Sequence, residues 1–462
     1  MNRNNPEIIK LIGLIREGEL NKALRLCQKL LRRKETNEVL ENTLGIIYRK
    51  KERYKEAAFW TKKALKRNRR FWAAHNNFAR ILHDSGQLEN SIEKYRWILK
   101  ENPNYHEGRV NLAVTLKSLG KYEESLEEYK KLVVSSRSDI SHFHLGLTLL
   151  SLGRYKEGWS NYEYRWKVSP LDNAVWPIRD KDIWNGEKAK DVILWREQGI
   201  GDDILFLGLI LEAQDRSKKL SVYVDPRLVS LCKRSMKEID FFAYETVIGQ
   251  KADFHLPMGS LPRLFRQTED DFKKTKRGYL KADPERVKAI TSELGLEGKK
   301  VIGISWKSIK SLNTLKKSLT LLEFGAIFEG LDVTLVNLQY GDVNKEINEF
   351  EEETGIKIVQ CGSVDNREDL DGLAALIEAC DLVVSTSNVT IHLAGALGKD
   401  GCVLLSFIHN FWWLRDRDDS VWYPSIKIYR QKKFQDWTSI PGSLRSDLSK
   451  KFGVIDEFVS EG

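Results

Sequence analysis

The feature that most constrains this chain is a period of 34 residues. Gly18, Glu52, Gly86 and Gly120 stand one period apart, and Gly153 follows 33 residues later. Two places after each comes a large residue, Leu20, Tyr54, Leu88, Tyr122 or Tyr155, and then a small one, Ala23, Ala57, Ser91, Ser125 or Gly158. Upstream, Leu44-Gly45, Phe78-Ala79, Leu112-Ala113 and Leu145-Gly146 fill one matching pair of positions. Small residues at these places let two helices approach, large ones fill the gap between neighbouring pairs, and a glycine ends the first helix of each pair. No single pair buries its own apolar face, so the copies must stack. The pattern predicts an α-solenoid of about five repeats over residues 1–168.

These positions are those of tetratricopeptide repeats, which the array resembles. Two places before the Ala or Gly of the first helix, successive repeats carry Thr43, Asn77, Asn111 and His144. A side-chain amide both donates and accepts, so such a ladder suits an extended peptide backbone without reading its sequence. Hydrogen bonding between helices of the array explains the same residues, and the sequence leaves both open.

Composition closes several classes. Hydrophobic residues make up 41% of the 462, with 31 Gly and 10 Pro, which excludes collagen-like and disordered chains. No apolar run nears the roughly 18 residues of a membrane span, and the opening residues lack the apolar core of a signal peptide. The expectation is a cytoplasmic protein without a transmembrane segment. Cys27, Cys232, Cys361, Cys380 and Cys402 stand singly, with no metal-ligand spacing, so no metal site is expected. The net charge of +9 is N-terminal: residues 1–168 hold 34 Lys and Arg against 20 Asp and Glu, the remainder 41 against 46. The basic run between Arg49 and Arg70 fits a solvated helical face or a dock for an acidic protein. No motif accompanies it that would indicate nucleic acid.

After a connecting segment over residues 169–186, short apolar runs alternate with amphipathic stretches. Val192–Trp195, Ser221–Val224, Lys300–Trp306, Val333–Leu338, Lys357–Val359, Leu382–Ser385 and Val403–Phe407 read as buried strands of doubly wound parallel sheets. A break near Asp283-Pro284 separates residues 187–285 from 286–462. Two Rossmann-like subdomains would face each other across a crevice at the carboxyl ends of their strands.

The motifs fall at those ends. Val192-Ile193-Leu194-Trp195 leads into Arg196-Glu197-Gln198-Gly199-Ile200-Gly201-Asp202-Asp203 and then an apolar helix. In the second half, Trp306-Lys307-Ser308 and Leu338-Gln339-Tyr340 end strands, and Leu382–Ser385 runs into Thr386-Ser387-Asn388-Val389-Thr390-Ile391-His392. Hydroxyls, an amide and a helix start just after a strand suit an anionic diphosphate. With the closing Trp422-Tyr423-Pro424-Ser425 and Phe434-Gln435-Asp436-Trp437, residues 191 to about 437 resemble the heptosyltransferase-like glycosyltransferases of GT-B fold, in the variant with an N-terminal tetratricopeptide array.

The resemblance implies metal-independent inversion at a sugar anomeric carbon, with Asp202 as catalytic base and no cofactor beyond the nucleotide-sugar substrate. It implies donor binding by Ser387, Asn388, Thr390 and His392, to which the strand ends add Gly199, Gly201, Lys307 and Gln339 as donor-binding candidates. Polar ladders such as Asn77, Asn111 and His144 resemble those of tetratricopeptide-containing protein glycosyltransferases. The acceptor implied is Ser or Thr of a protein held by the array, flagellin or another surface protein among the targets. Each residue also has a plainer explanation: helix capping for Asp202, surface position for Lys307, Lys316 and Lys317, helix packing for His392, core packing for Trp412, Trp413, Trp422 and Tyr423. Asp416-Arg417-Asp418 superficially matches a metal-binding DxD. Ser387 replaces an Asp common in relatives, Asp400 follows Gly-Lys where Pro is common, and Asp203 gives Asp202 an acidic neighbour whose titration would couple to it. Ser387 and Asp400 keep a decayed, scaffolding role open, and transfer to a glycan or glycolipid, with the array recruiting partners, is a second enzyme reading.

Overall fold

The computed structural model describes residues 6–33, 37–136, 138–168, 178, 182–244, 252–308 and 319–454. The chain divides into two compact units, 1–145 and 146–462.

The helices follow the repeat. Pro6–Arg16 and Leu20–Arg32, Glu38–Lys50 and Tyr54–Arg67, Trp72–Asp84 and Leu88–Glu101, and His106–Ser118 and Tyr122–Ser136 form successive pairs, with Asp139–Ser151 and Tyr155–Tyr162 after them. All five turn residues are left-handed, Gly18, Gly86, Gly120 and Gly153 with φ of 78°, 84°, 81° and 71°, and Glu52 with φ of 59°. The small positions close the pairs. Ser91 Oγ donates to the carbonyl of Ala79 and Ser125 Oγ to that of Ala113, both at 2.8 Å, the same bond one repeat apart.

The second unit holds two sheets, parallel throughout. The first consists of β1 (Asp182–Ile183), β2 (Ala189–Trp195), β3 (Ser217–Val224), β4 (Asp240–Ala243) and β5 (Phe254–Pro257), in the order β1-β5-β2-β3-β4. The second consists of β6 (Val301–Ser305), β7 (Thr334–Asn337), β8 (Ile358–Val359), β9 (Leu382–Thr386), β10 (Gly401–Leu405) and β11 (Ile426–Arg430), in the order β11-β10-β9-β6-β7-β8. The second order is that of the doubly wound dinucleotide-binding fold, and the first matches its opening four strands with β1 added at the edge. The strand order reverses beside β2 and again beside β6, so a crevice opens at the carboxyl ends of β2 and β5 and of β6 and β9. The whole is a helical repeat array followed by a GT-B-like pair of Rossmann subdomains.

The second sheet has its own core, where Ile302, Ile304, Val384 and Leu404 pack against Phe324, Phe350 and the helix Ser439–Phe452. Tyr155–Tyr162 and the 3-10 turn Glu163–Lys167 are packed into this unit: Trp159 Nε1 donates to the Arg266 carbonyl at 2.7 Å, and its ring meets Phe411 at 5.6 Å. Among the described residues no helix is long and apolar enough to cross a membrane.

Candidate functional site

The loop after β2 enters the helix Ile200–Leu207 through Gly199, an extended N-cap with φ −82° and ψ 166°. Asp202, in the first turn, folds back so that the Gly199 N–H donates to its Oδ2 at 3.1 Å. Capping accounts for this bond, and the N–H of Asp202 itself is a second backbone donor to the carboxyl. The group is recessed, and burial, reinforced by the nearby Glu197, pushes it up to about 6 against the Gly199 N–H and Arg196. Asp203 is engaged elsewhere. Its Oδ2 accepts from Arg196 Nε at 2.6 Å, Arg196 lies 3.3 Å from Asp225, and Asp225 pairs with Arg227 at 2.8 Å. Burial raises Asp203 as well, with Arg196 opposing. The acidic neighbours thus have separate surroundings, one in an ion network and the other at the crevice.

Across the crevice, the ends of β6, β7 and β9 are knotted together. Ser305 Oγ and the Lys307 N–H both donate to Gln339 Oε1, at 3.0 and 2.9 Å. Asn388 Nδ2 donates to Ser305 Oγ at 2.8 Å and to the Lys307 carbonyl at 3.3 Å, while its Oδ1 accepts from Ser385 Oγ and the Thr390 N–H, both at 3.0 Å. Thr390 Oγ1 donates to the Leu338 carbonyl at 3.5 Å. Gln339, Asn388 and Thr390 accordingly brace the strand ends and cap the helix Val389–Leu397. What they offer the crevice is a fixed helix N-terminus with its partial positive charge. Ser387 Oγ accepts from Trp413 Nε1 at 2.8 Å. Lys307 pairs with Glu346, which also accepts from Trp306 Nε1 at 2.9 Å. Lys316 and Lys317 lie outside the described residues.

His392 sits one turn into that helix, buried, with Nδ1 2.9 Å from the Tyr423 hydroxyl and its ring among Trp412, Trp413 and Tyr423 at 5.6, 5.5 and 5.6 Å. Burial pulls it down to about 3, so the ring is neutral at pH 7 and packs as a helix residue rather than acting as a cation. The helix carrying Asp202 rests on the helix of the opposite half, where a Cβ on Gly201 would sit in ordinary van der Waals contact with His392 Cδ2, at 3.4 Å. The N–H groups of Tyr279 and Leu280 add bonds to the Ala396 carbonyl at 2.7 and 2.9 Å. Trp412 Nε1 is buried with no hydrogen-bond partner among the described residues, a donor available at this junction.

Residues 106–136 match the tetratricopeptide repeat family. Over 313 residues the chain is 30% identical to Protein FlbA of Caulobacter vibrioides, covering 63% of this chain and 52% of that protein, so it spans about half the length of that relative. A tetratricopeptide repeat protein of Thermus thermophilus matches 36% of this chain and 91% of its own at 18% identity and a TM-score of 0.33. One from Parabacteroides merdae matches 36% and 66% at 22% identity and a TM-score of 0.29.

In the array, Asn77 is buried and its Nδ2 donates to Asn42 Oδ1 at 3.1 Å and Thr61 Oγ1 at 3.0 Å. Asn111 Nδ2 donates to Asn76 Oδ1 at 2.9 Å, and Asn76 in turn to Glu107 at 2.9 Å. His144 stacks on Tyr129 at 5.8 Å, and burial lowers its pKa. The amides of this ladder thus hydrogen-bond from helix to helix.

The residues with the most elaborate partnership near Asp202 carry no motif. Arg165 and Glu197, 1% and 2% exposed, pair through two bonds of 2.9 Å. Arg165 also donates to Glu163 and Ser260 at 2.8 Å each. The signal available in the sequence was only an Arg in an aromatic segment and a Glu beside a glycine loop. The departures noted above also have partners: Asp400 accepts from Arg277 at 2.5 Å and Lys451 at 3.2 Å, and in Asp416-Arg417-Asp418 the arginine pairs with Asp419 at 2.6 Å and Glu269 at 2.8 Å. Trp413, Trp422 and Tyr423 are buried, and Trp412 is half-buried.

Proposed function

We propose that the second unit is an inverting glycosyltransferase that moves a sugar from a nucleotide-sugar to an acceptor hydroxyl, and that the acceptor is Ser or Thr of a protein bound by the array. One observation carries this: a recessed carboxyl with a pKa raised to about 6, at the end of β2, opposite the braced N-terminus of the helix after β9. In the reaction, Asp202 takes the acceptor O–H proton as that oxygen bonds to the anomeric carbon. The bond from that carbon to the leaving phosphate oxygen breaks with its electron pair. A base with a pKa near 6 is better matched to this transfer than an ordinary carboxylate and is still mostly ionised at pH 7. Fixed N–H groups at the Val389 helix start face the growing phosphate charge without reorganising. Lys307 joins them where the diphosphate competes with Glu346 for its ammonium.

Arg196 holding Asp203 supports the same assignment, since it ties the second acid into an ion network and leaves Asp202 to the crevice. The competing scaffold role draws on Lys307 and Ser387 both having partners within the protein. Thermal shift and donor hydrolysis with UDP-, GDP-, ADP-, dTDP- and CMP-sugars separate the two. A donor that stabilises both wild type and Asp202→Asn, and is hydrolysed at least about 100-fold faster by wild type, is the expected outcome. No stabilisation by any donor would leave the scaffold. Hydrolysis that survives EDTA is expected of a metal-independent transfer.

A further inference from the structure

Two grooves of the array occupy the same place in successive repeats. One, of about 480 Å³, is lined among others by Arg109, Leu112, Leu116, Glu124, Glu128 and Lys131. The other, of about 400 Å³, is lined by Phe78, Leu82, Asn90, Glu93, Lys94 and Trp97, each 34 residues before a lining residue of the first. The first groove is closed by its own charges. Arg96 pairs with Glu124 at 2.7 Å, and Arg109 and Lys131 both pair with Glu128 at 2.6 Å.

One repeat earlier both of those acids are gone. Asn90 stands in the place of Glu124, Lys94 in that of Glu128, and Trp97 in that of Lys131. Lys62, the counterpart of Arg96, and Lys94 have no carboxylate partner among the described residues. Each lies over a ring instead, Lys62 5.3 Å from the centroid of Phe78 and Lys94 3.8 Å from that of Trp97. Glu93 is the one acid among the lining residues. Trp97 is 39% exposed, and Phe59 on the neighbouring second helix is 61% exposed. Burial holds Lys94 below the usual lysine range, a penalty that a carboxylate placed beside it would relieve.

We propose that this groove binds an acidic segment of a protein partner, whose carboxylates pair with Lys62 and Lys94 and whose apolar side chain covers Phe78, Leu82 and Trp97. A carboxylate beside Lys62 makes the pairing that Glu124 makes with Arg96 in the next repeat. The basic excess of residues 1–168 adds longer-range attraction for such a segment. This rests on the array alone and is independent of the transferase assignment.

The test uses the full chain and a fluorescein-labelled peptide of eight residues, Asp-Glu-Asp-Leu-Phe-Glu-Asp-Glu, read by anisotropy. Saturable binding is expected, weakened about tenfold or more in Lys62→Glu/Lys94→Glu and by a similar factor in Trp97→Ala. Lys131→Glu, at the place of Trp97 in the next groove, should bind as wild type does. Circular dichroism melts check that the variants fold. Absence of saturation up to about 1 mM, equal affinity in the double variant, equal binding of a peptide with Gly-Ser replacing Leu-Phe, or equal binding of an oligothymidylate of the same charge would each overturn the proposal.

Discussion

At the scale of the residue, Asp202 makes predictions of opposite sign for activity and stability. Its proton must leave before it acts, so donor turnover should rise about tenfold per pH unit below about 6 and level off above it. For stability, the folded carboxyl holds its proton more tightly than an unfolded Asp of pKa about 3.9. The contribution of that proton is full below pH about 4 and is lost as pH rises through about 6. Asp202→Asn should therefore melt above wild type at pH 7.5, with the gap closing near pH 4; a gap that is constant in pH would sink the raised pKa. Glu52 makes a second prediction. It holds φ at 59° where four other repeats have glycine, and a side chain in that region costs about 1 kcal/mol. Glu52→Gly should gain roughly that amount in urea denaturation, whereas Gly86→Ala, the reverse change one repeat on, should lose it.

Elements near the crevice depend on one another through a charge network. The turn Glu163–Lys167 delivers Arg165 to Glu197, two residues before Gly199, so the segment that ends the repeat pattern braces the loop bearing Asp202. Removing one member of a buried pair leaves the other charge without compensation, at about 3–5 kcal/mol, while replacing both with apolar residues is often nearly neutral. Arg165→Met should thus be severely destabilising. The double change Arg165→Met/Glu197→Met should recover much of the loss. It should also lower the apparent pKa of donor turnover, because Glu197 helps to hold Asp202 up. An additive double mutant would show that the two residues do not act as a pair.

At the scale of the whole molecule, the chain divides into units 1–145 and 146–462, and the proposed function assigns acceptor binding to the first and transfer to the second. A fragment of residues 138–462 keeps the helix Asp139–Ser151 and the whole of the second unit. It should melt in a single transition and hydrolyse donor within about twofold of the full chain. Transfer to a protein acceptor should fall at least about tenfold, because the acceptor then binds without the array. Retention of full protein transfer by the fragment would remove the array from acceptor binding.

How far the sequence reached follows from the range of the forces involved. The repeat was legible because its determinants are local: turn glycines, small residues at helix contacts and large ones between pairs recur at fixed spacing. Seven strands were legible as apolar runs. β4 (Asp240–Ala243), β5 (Phe254–Pro257) and β11 (Ile426–Arg430) were not, since four residues ending at Pro257 or an alternating Ile-Lys-Ile-Tyr-Arg give no continuous run. Two-residue β1 (Asp182–Ile183) exists only because β5 is there to pair with it. Among site residues, the sequence by itself placed Asp202 after a glycine loop and Asn388 at a helix start, both set by the local chain. Tertiary structure decided the rest. His392 is neutral because three aromatic rings close over it, Lys307 is paired because Glu346 lies opposite, and Arg165 matters because its partner is 32 residues away. Burial and charge pairing depend on which distant segments meet, and spacing along the chain does not record that.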